Sequence, residues 1–443
     1  MKRFIQTIQN IFAIEELRTR ILNTIGFLVI FRLASFIVLP GIDPAKLNPD
    51  AENNGILGFI NAFSGGAWNN LSIVGLGIMP YITASIILQL LTFAVPAFQK
   101  MQKEGDSGRK KINQYTRILT ILVTMAQAVG YLAMTAKAEE YYPGMDSAFM
   151  DAVRITTLVG GTIFCMWLGE RITDKGIGNG ISMLIMIGIV SRLPEAFLGE
   201  FELRGMKQLL IFIMELTVLG FIVALVVMVN QATRKIALQY AKQVAGASVY
   251  GQAATQRSFL PLKVITAGVM PIIFAQAIMY LPPMLSGYFQ DQSTLAADMY
   301  QMFQPFTWQY NAVFALLIIV FTFFYTALVV NPNQIADDLK RNGGFVPGVK
   351  PGKPTSDYID TVLSRITLPG ALFLALIAIL PAFANAATIS QGFASFFGGT
   401  SLLIMVGVVL DTLQQIESYL LNRHYDGMLK SGKVKGRASI PVA

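Results

Sequence analysis

The sequence predicts an all-α polytopic membrane protein, and three observations carry that prediction. Of 443 residues, 54% are hydrophobic and only 14% charged, against roughly 45–50% and about 25% in soluble domains. Mean hydropathy is accordingly high, at +0.55. The apolar residues stand in unbroken runs rather than in alternation, which excludes a transmembrane β-barrel. Ten such runs come close to the ~20 residues a helix needs to cross a bilayer core.

Taken in order, residues 1–20 place Phe4, Ile8, Ile11 and Phe12 at helical spacing among Lys2, Arg3, Arg18 and Arg20. That is the pattern of an amphipathic helix lying on the membrane surface. The first run, 21–39, reaches Leu39-Pro40-Gly41 without a small-residue cleavage site, so a retained span is expected, not a removed signal. The others are 71–95, 118–136, 153–170, 180–198, 208–229, 264–285, 311–330, 366–384 and 400–421. Between the first two lies 53–70, NNGILGFINAFSGGAWNN, with Ile56, Leu57, Ile60 and Phe63 on one helical stripe. It is too short to cross. Two readings stand: a small movable helix folded back into a cavity, or an ordinary external loop.

The basic residues set the expected orientation. With the N-terminus in the cytosol, 27 of the 34 Lys and Arg fall on the cytosolic side, six fall outside, and Arg32 lies within the first run. This bias puts both termini in the cytosol. The net charge of +8 is thus first a topology signal. Two long basic stretches, 231–263 and 331–365, leave room for a second use, docking an anionic partner. The first holds Arg234, Lys235, Lys242, Arg257 and Lys263 with no acidic residue between them.

Other counts exclude chemistry. One Cys (Cys165) and one His (His424) cannot build a metal cluster or a disulfide framework, and no cofactor is expected. The glycines of GERITDKGIGNGIS (169–182) join two apolar helices and lack a preceding strand, and KEGDSGRKK (103–111) lacks phosphate-loop spacing. Both predict tight turns. No nucleophile–base pair or carboxylate dyad stands out in the spans, so no enzyme is expected.

Longer motifs add a resemblance. FSGGAWNNLSIVGLGIMPYITASIILQLL (63–91), KEGDSGRKKINQYTR (103–117), MWLGERITDKGIGNGISMLI (166–185), LPLKV with AGVMPIIFA (260–275), the stretch 323–372 and FGGTSLLIMVGVVLDT (397–412) resemble the SecY/Sec61-alpha family. Its bacterial members form the pore subunit of the Sec protein translocase. The resemblance implies ten transmembrane helices in two pseudo-symmetric five-helix halves, 21–200 and 201–421, enclosing an hourglass pore, with a cytosolic tail at 422–443. It implies a pore ring of Ile78, Ile82, Ile181, Ile185, Ile273 and Ile404. The segment 53–70 would be the plug, with Ile56, Ile60, Phe63, Ser64, Gly65 and Gly66 against the ring. The second and third spans would face the seventh and eighth across a lateral gate, with Gln89 and Gln127 as candidates for interhelical hydrogen bonds. Arg234, Lys235, Lys242, Arg257, Lys340, Arg341 and Lys350 would sit on cytosolic loops that bind the motor ATPase SecA or the ribosome, including phosphates of ribosomal RNA. The family usually has Arg where Lys350 stands, so the charge is kept and the bidentate fork is lost. SecE and SecG as small partners, unfolded secretory proteins and signal sequences as cargo, and a plasma-membrane location follow from the same resemblance.

The alternative from the residues alone is an ion-coupled secondary transporter, for which Glu215 and Asp411 are the only pair of acids on offer. Joint replacement by Gln and Asn abolishes transport in reconstituted vesicles if they couple it, and leaves a passive channel nearly unaffected.

Overall fold

A backbone surrounded by hydrocarbon must satisfy its own hydrogen bonds, and a continuous helix does so within one segment. The computed structural model describes residues 14–46, 64–135, 148–205, 208–240, 258–289, 298, 301–304, 307–387 and 389–430. In chain order these form α1 (Glu15–Ala34), α2 (Met79–Ala94), α3 (Pro96–Lys103), α4 (Asp106–Thr135), α5 (Ala148–Lys175), α6 (Gly180–Arg204) and α7 (Leu209–Gln231). Strands β1 (Thr233–Tyr240) and β2 (Ser258–Lys263) follow, then α8 (Met270–Phe289), α9 (Trp308–Val329), α10 (Pro332–Arg341) and β3 (Gly344–Phe345). The chain continues through α11 (Lys353–Ala386), α12 (Gln391–Ala394) and α13 (Gly399–Lys430). Each of the ten expected runs overlaps a helix. Among the described residues six helices, α5, α6, α7, α9, α11 and α13, are long and apolar enough to cross a membrane. The sharply bent pair α2–α3 makes a seventh if taken as one span. Most of the expected surface helix at 1–20, and the tail beyond 430, lie outside the described residues.

The chain divides into two compact units: Met1–Ala51 with Ile60–Arg192 and Val408–Ala443, and Glu52–Phe59 with Leu193–Gly407. In the first, α2 packs on α4 and α5, and α5 also on α1. The run expected as a helix from 71 becomes one only at Met79. Residues 64–78 are turns, and Leu71 sits at φ 44°, which a side chain rarely tolerates. Tertiary pairing holds it there. Leu39 N–H donates to Leu71 O at 2.8 Å and Ile73 N–H to Ile37 O at 2.8 Å. At its far end α2 stops at Val95, whose extended backbone (φ −109°, ψ 119°) is what the following Pro96 demands.

The glycine-rich joint between α5 and α6 is a turn, as expected, and its polar groups are answered one by one. Asn179 Oδ1 accepts from Ile181 N–H (3.1 Å) and Ser182 N–H (3.3 Å), capping α6. Thr173 Oγ1 accepts from Gly180 N–H (2.9 Å), Thr24 Oγ1 from Ile177 N–H (3.0 Å), and Gln415 Oε1 from Gly178 N–H (2.9 Å). A Cβ on Gly180 would run into Gly169 O.

In the second unit α9 lies between α8 and α11, and α10 packs on α11. The stretches 231–263 and 331–365, expected as loops, hold strands and helices. β1 pairs antiparallel with β2 (Ile236 opposite Leu260) and with β3 (Tyr240 opposite Gly344), in the order β2-β1-β3. Alternation explains it: Ile236 and Leu238 point into a core with Leu262, Leu339, Val346, Ile359 and Leu363, and the residues between them face out. At the α6–α7 corner Phe212 packs edge-on against Phe197 and Phe201, at 5.2 and 5.6 Å.

Arg154, counted as an external charge from the sequence, is fully buried on α5 in the first unit. Its Nη1 meets Asp151 Oδ1 at 2.7 Å and its Nε donates to Pro40 O at 3.2 Å, fastening the turn after α1. Replacement by Met leaves that carbonyl without its donor and should lower stability by about 1–3 kcal/mol. Thermal unfolding in detergent measures the loss.

Candidate pore constriction and its closing segment

Four of the six ring positions lie in the first unit, at two helix starts. Ile78 is the residue before α2 and Ile82 sits one turn in; Ile181 and Ile185 occupy the first turns of α6. The Asn179 cap sets the one start and Pro80, in the first turn of α2, the other. Ile78 and Ile185 are buried, Ile82 and Ile181 half-buried. Ile78 and Ile185 line one small cavity of about 20 Å³ together with Ser64, Leu76 and Leu184. That is room for about one water. A residue of the expected plug thus meets two residues of the expected ring at a mostly apolar cavity. Branched aliphatic walls offer a hydrated ion nothing in exchange for its water.

The described end of the expected plug is held both by its own bonds and by α4. Ser64 Oγ accepts from Trp68 N–H at 3.0 Å, and the Trp68 ring stands edge-on to Tyr131 of α4 at 4.4 Å. Tyr131 Oη donates to Trp68 O at 2.8 Å, and Gly75 has no side chain because a Cβ there would collide with that hydroxyl. Gly65 and Gly66 both have positive φ. Ile56, Ile60 and Phe63 lie outside the described residues. In the second unit Ile273 is half-buried on α8 and Ile404 buried on α13.

Of the two polar gate candidates, one bonds within its own helix. Gln89 Nε2 donates to Ser85 Oγ at 3.3 Å, one turn back on its own helix, so the expected interhelical bond is not the one it makes. Gln127 is buried on α4. No hydrogen bond joins the two among the described residues. Of the basic positions, Arg234 and Lys235 are exposed on β1, Lys340 and Arg341 exposed in the last turn of α10, and Lys350 exposed beyond β3. The two on α10 also face that helix's negative end. Lys242 and Arg257 lie outside the described residues.

One oxygen of Glu215, the buried acid of the carrier alternative, is engaged, while its Oε2 has no hydrogen-bond partner among the described residues. Glu215 Oε1 accepts from Arg204 Nη2 at 2.6 Å, Arg204 Nε donates to Glu200 Oε1 at 2.9 Å, and Glu200 Oε2 accepts from Ser390 N–H at 3.0 Å. This cluster braces the α6–α7 corner, and Asp411 is exposed. Two features escaped the sequence. Tyr131 is one, although a hydroxyl in an apolar span signals a partner. The other is Arg117, whose Nη2 reaches both oxygens of Glu170 at 2.8 Å, tying α4 to α5 across 53 positions of chain.

Comparisons with known proteins give the family and the fold. The family model for SecY matches residues 72–413. The protein translocase subunit SecY of Halalkalibacterium halodurans is 43% identical over 438 residues, 96% of this chain and 100% of that one. The Escherichia coli K12 subunit of the same name is 41% identical over 439 residues, 96% of each. Among solved structures a protein conducting channel matches with TM-score 0.64 at 17% identity, over 90% of this chain and 92% of that one. Sec61 in the canine ribosome–channel complex from the endoplasmic reticulum matches with TM-score 0.60 at 16% identity, over the same shares of the two chains. At such identities the solved structures speak for the fold alone.

Removing the hydroxyl in Tyr131→Phe should loosen the 64–78 turns by about 1 kcal/mol and speed their amide exchange roughly fivefold. Hydrogen–deuterium exchange of the detergent-purified protein reads this directly.

Proposed function

The chain belongs to the SecY family, and on that premise we propose that it is the central protein-conducting channel subunit of the Sec translocon. It passes unfolded secretory polypeptides across the plasma membrane and releases transmembrane segments sideways into lipid. The observation that best supports this reading is the cavity at which Ser64 meets Ile78 and Ile185. An apolar collar with a segment lodged beside it is what a seal for a wide, unselective pore requires. Aliphatic side chains grip no particular residue of a passing chain, and they dewet when it is gone.

In this proposal ten helices form two five-helix halves, 21–200 and 201–421, with both termini in the cytosol. Ile78, Ile82, Ile181, Ile185, Ile273 and Ile404 make the collar, and 53–70 is the plug. The lateral gate runs past Gln89 and Gln127. The channel performs no catalysis; work comes from SecA or the ribosome. Arg234, Lys235, Lys340, Arg341 and Lys350, with Lys242 and Arg257, form the docking surface for them. Exposure of the described five supports that role. SecE and SecG complete the complex.

A secretory precursor halted midway and carrying a photoreactive group at its centre tests the reading. Crosslinks are expected at the six isoleucines. Labelling confined to lipid-facing residues such as Leu210 and Phe221 would refute it.

A further inference from the structure

We propose that Arg32 is the latch that holds the closing segment at rest, acting through the carbonyl of Gly65. The inference rests on assigning residues 64–66 to the plug. A charge inside a membrane span is costly and is retained where it has a partner and a task. Arg32 lies well inside the first apolar run, 21–39. Its Nη1 donates to Gly65 O at 2.8 Å, and its guanidinium stands over the Phe36 ring at 5.4 Å. Among the described residues no carboxylate forms an ion pair with it.

The other side of the contact is shaped to receive it. Gly65 has φ +65°, and a Cβ there would lie 2.6 Å from Arg32 Nη1 and 2.9 Å from Gly188 Cα on α6. Any side chain would push the segment off both surfaces. Only glycine brings this carbonyl within reach of the cation while resting on α6.

The bond is also of a kind that can be released. A guanidinium-to-carbonyl bond is charge-assisted, yet breaking it strands no buried carboxylate. Once the segment leaves, the half-buried Arg32 head needs only water, which an opened cavity supplies. Arg154 is the contrast: fully buried and paired with Asp151, it is a permanent fastener. Hydrogen bonds to charged groups shift an equilibrium by roughly ten- to a hundredfold, enough to keep the segment seated and small enough for an entering chain to overcome.

Resting ion leak through the reconstituted channel complex, with no precursor present, is the measurement. Arg32→Met should raise it about tenfold, and Arg32→Lys by less. Gly65→Ala, which attacks the contact from the other partner and leaves the cation, should raise it comparably and serves if the Met variant does not fold. Ile82→Asn in the same vesicles reports on the collar itself. A cysteine pair at Ser64 and Leu184, which line one cavity, adds a rescue; Cys165 is buried and out of the way. Oxidising that pair in the Arg32→Met background should restore the seal, which it would not do if the substitution had only loosened packing elsewhere. Wild-type leak in both Arg32→Met and Gly65→Ala beside a leaking Ile82→Asn overturns the latch and leaves the channel reading standing. If none of the three leaks, the plug and collar are misassigned and the latch falls with them. A leak that oxidation does not close also overturns it.

Discussion

A backbone amide or carbonyl kept from water without a partner costs a few kcal/mol, and that penalty organises this chain more than any other. Helices discharge it wherever the segment is regular. At 64–78 and 176–179 the chain leaves the helix while still packed inside the first unit, and there borrowed groups answer it. The carbonyl of Trp68 is met by Tyr131, and amides of the 177–182 turn by Thr24, Thr173, Asn179 and Gln415. These two irregular stretches carry or adjoin Ile78, Ile181 and Ile185. The same bonds that make non-helical backbone tolerable also fix where these isoleucines of the proposed collar point.

Charge is used in two distinct ways. Arg117, Arg154 and Arg204 each reach across chain segments to a carboxylate or carbonyl and act as struts, and for the buried Arg154 and Arg204 an unanswered cation would be expensive. Arg234, Lys235, Lys340, Arg341 and Lys350 instead stand exposed around the three-stranded sheet and its helix. Solvated cations of that kind contribute little to folding and remain available to an anionic surface. Glu200 and Glu215, both tied to Arg204, belong to the first group.

Isoleucine suits the proposed collar for a mechanical reason too. Branching at Cβ stiffens χ1, so a ring of such side chains keeps its shape under thermal motion without hydrogen bonds. A polar ring would need each donor satisfied in both the sealed and the threaded state.

Helix positions were legible because the length of an apolar run is a local property. The helix start at Met79 was not, since residues 71–78 are as apolar as a helix and only their pairing with 37–39 holds Leu71 at its unusual φ. Strand β1 was missed because two inward residues, Ile236 and Leu238, are too few to stand out, and one of its partners, β3, comes from residues 344–345. Nor could an isoleucine proposed for the collar be told from one in a core without the longer motifs. By itself the sequence determined how the apolar runs are spaced and where charge collects, since each is a sum over neighbouring residues. Which carbonyl answers Arg32 or Arg154, and that Gln89 turns back to Ser85, only the tertiary structure decided, because a hydrogen bond depends on ångström-scale distances that residue order does not encode.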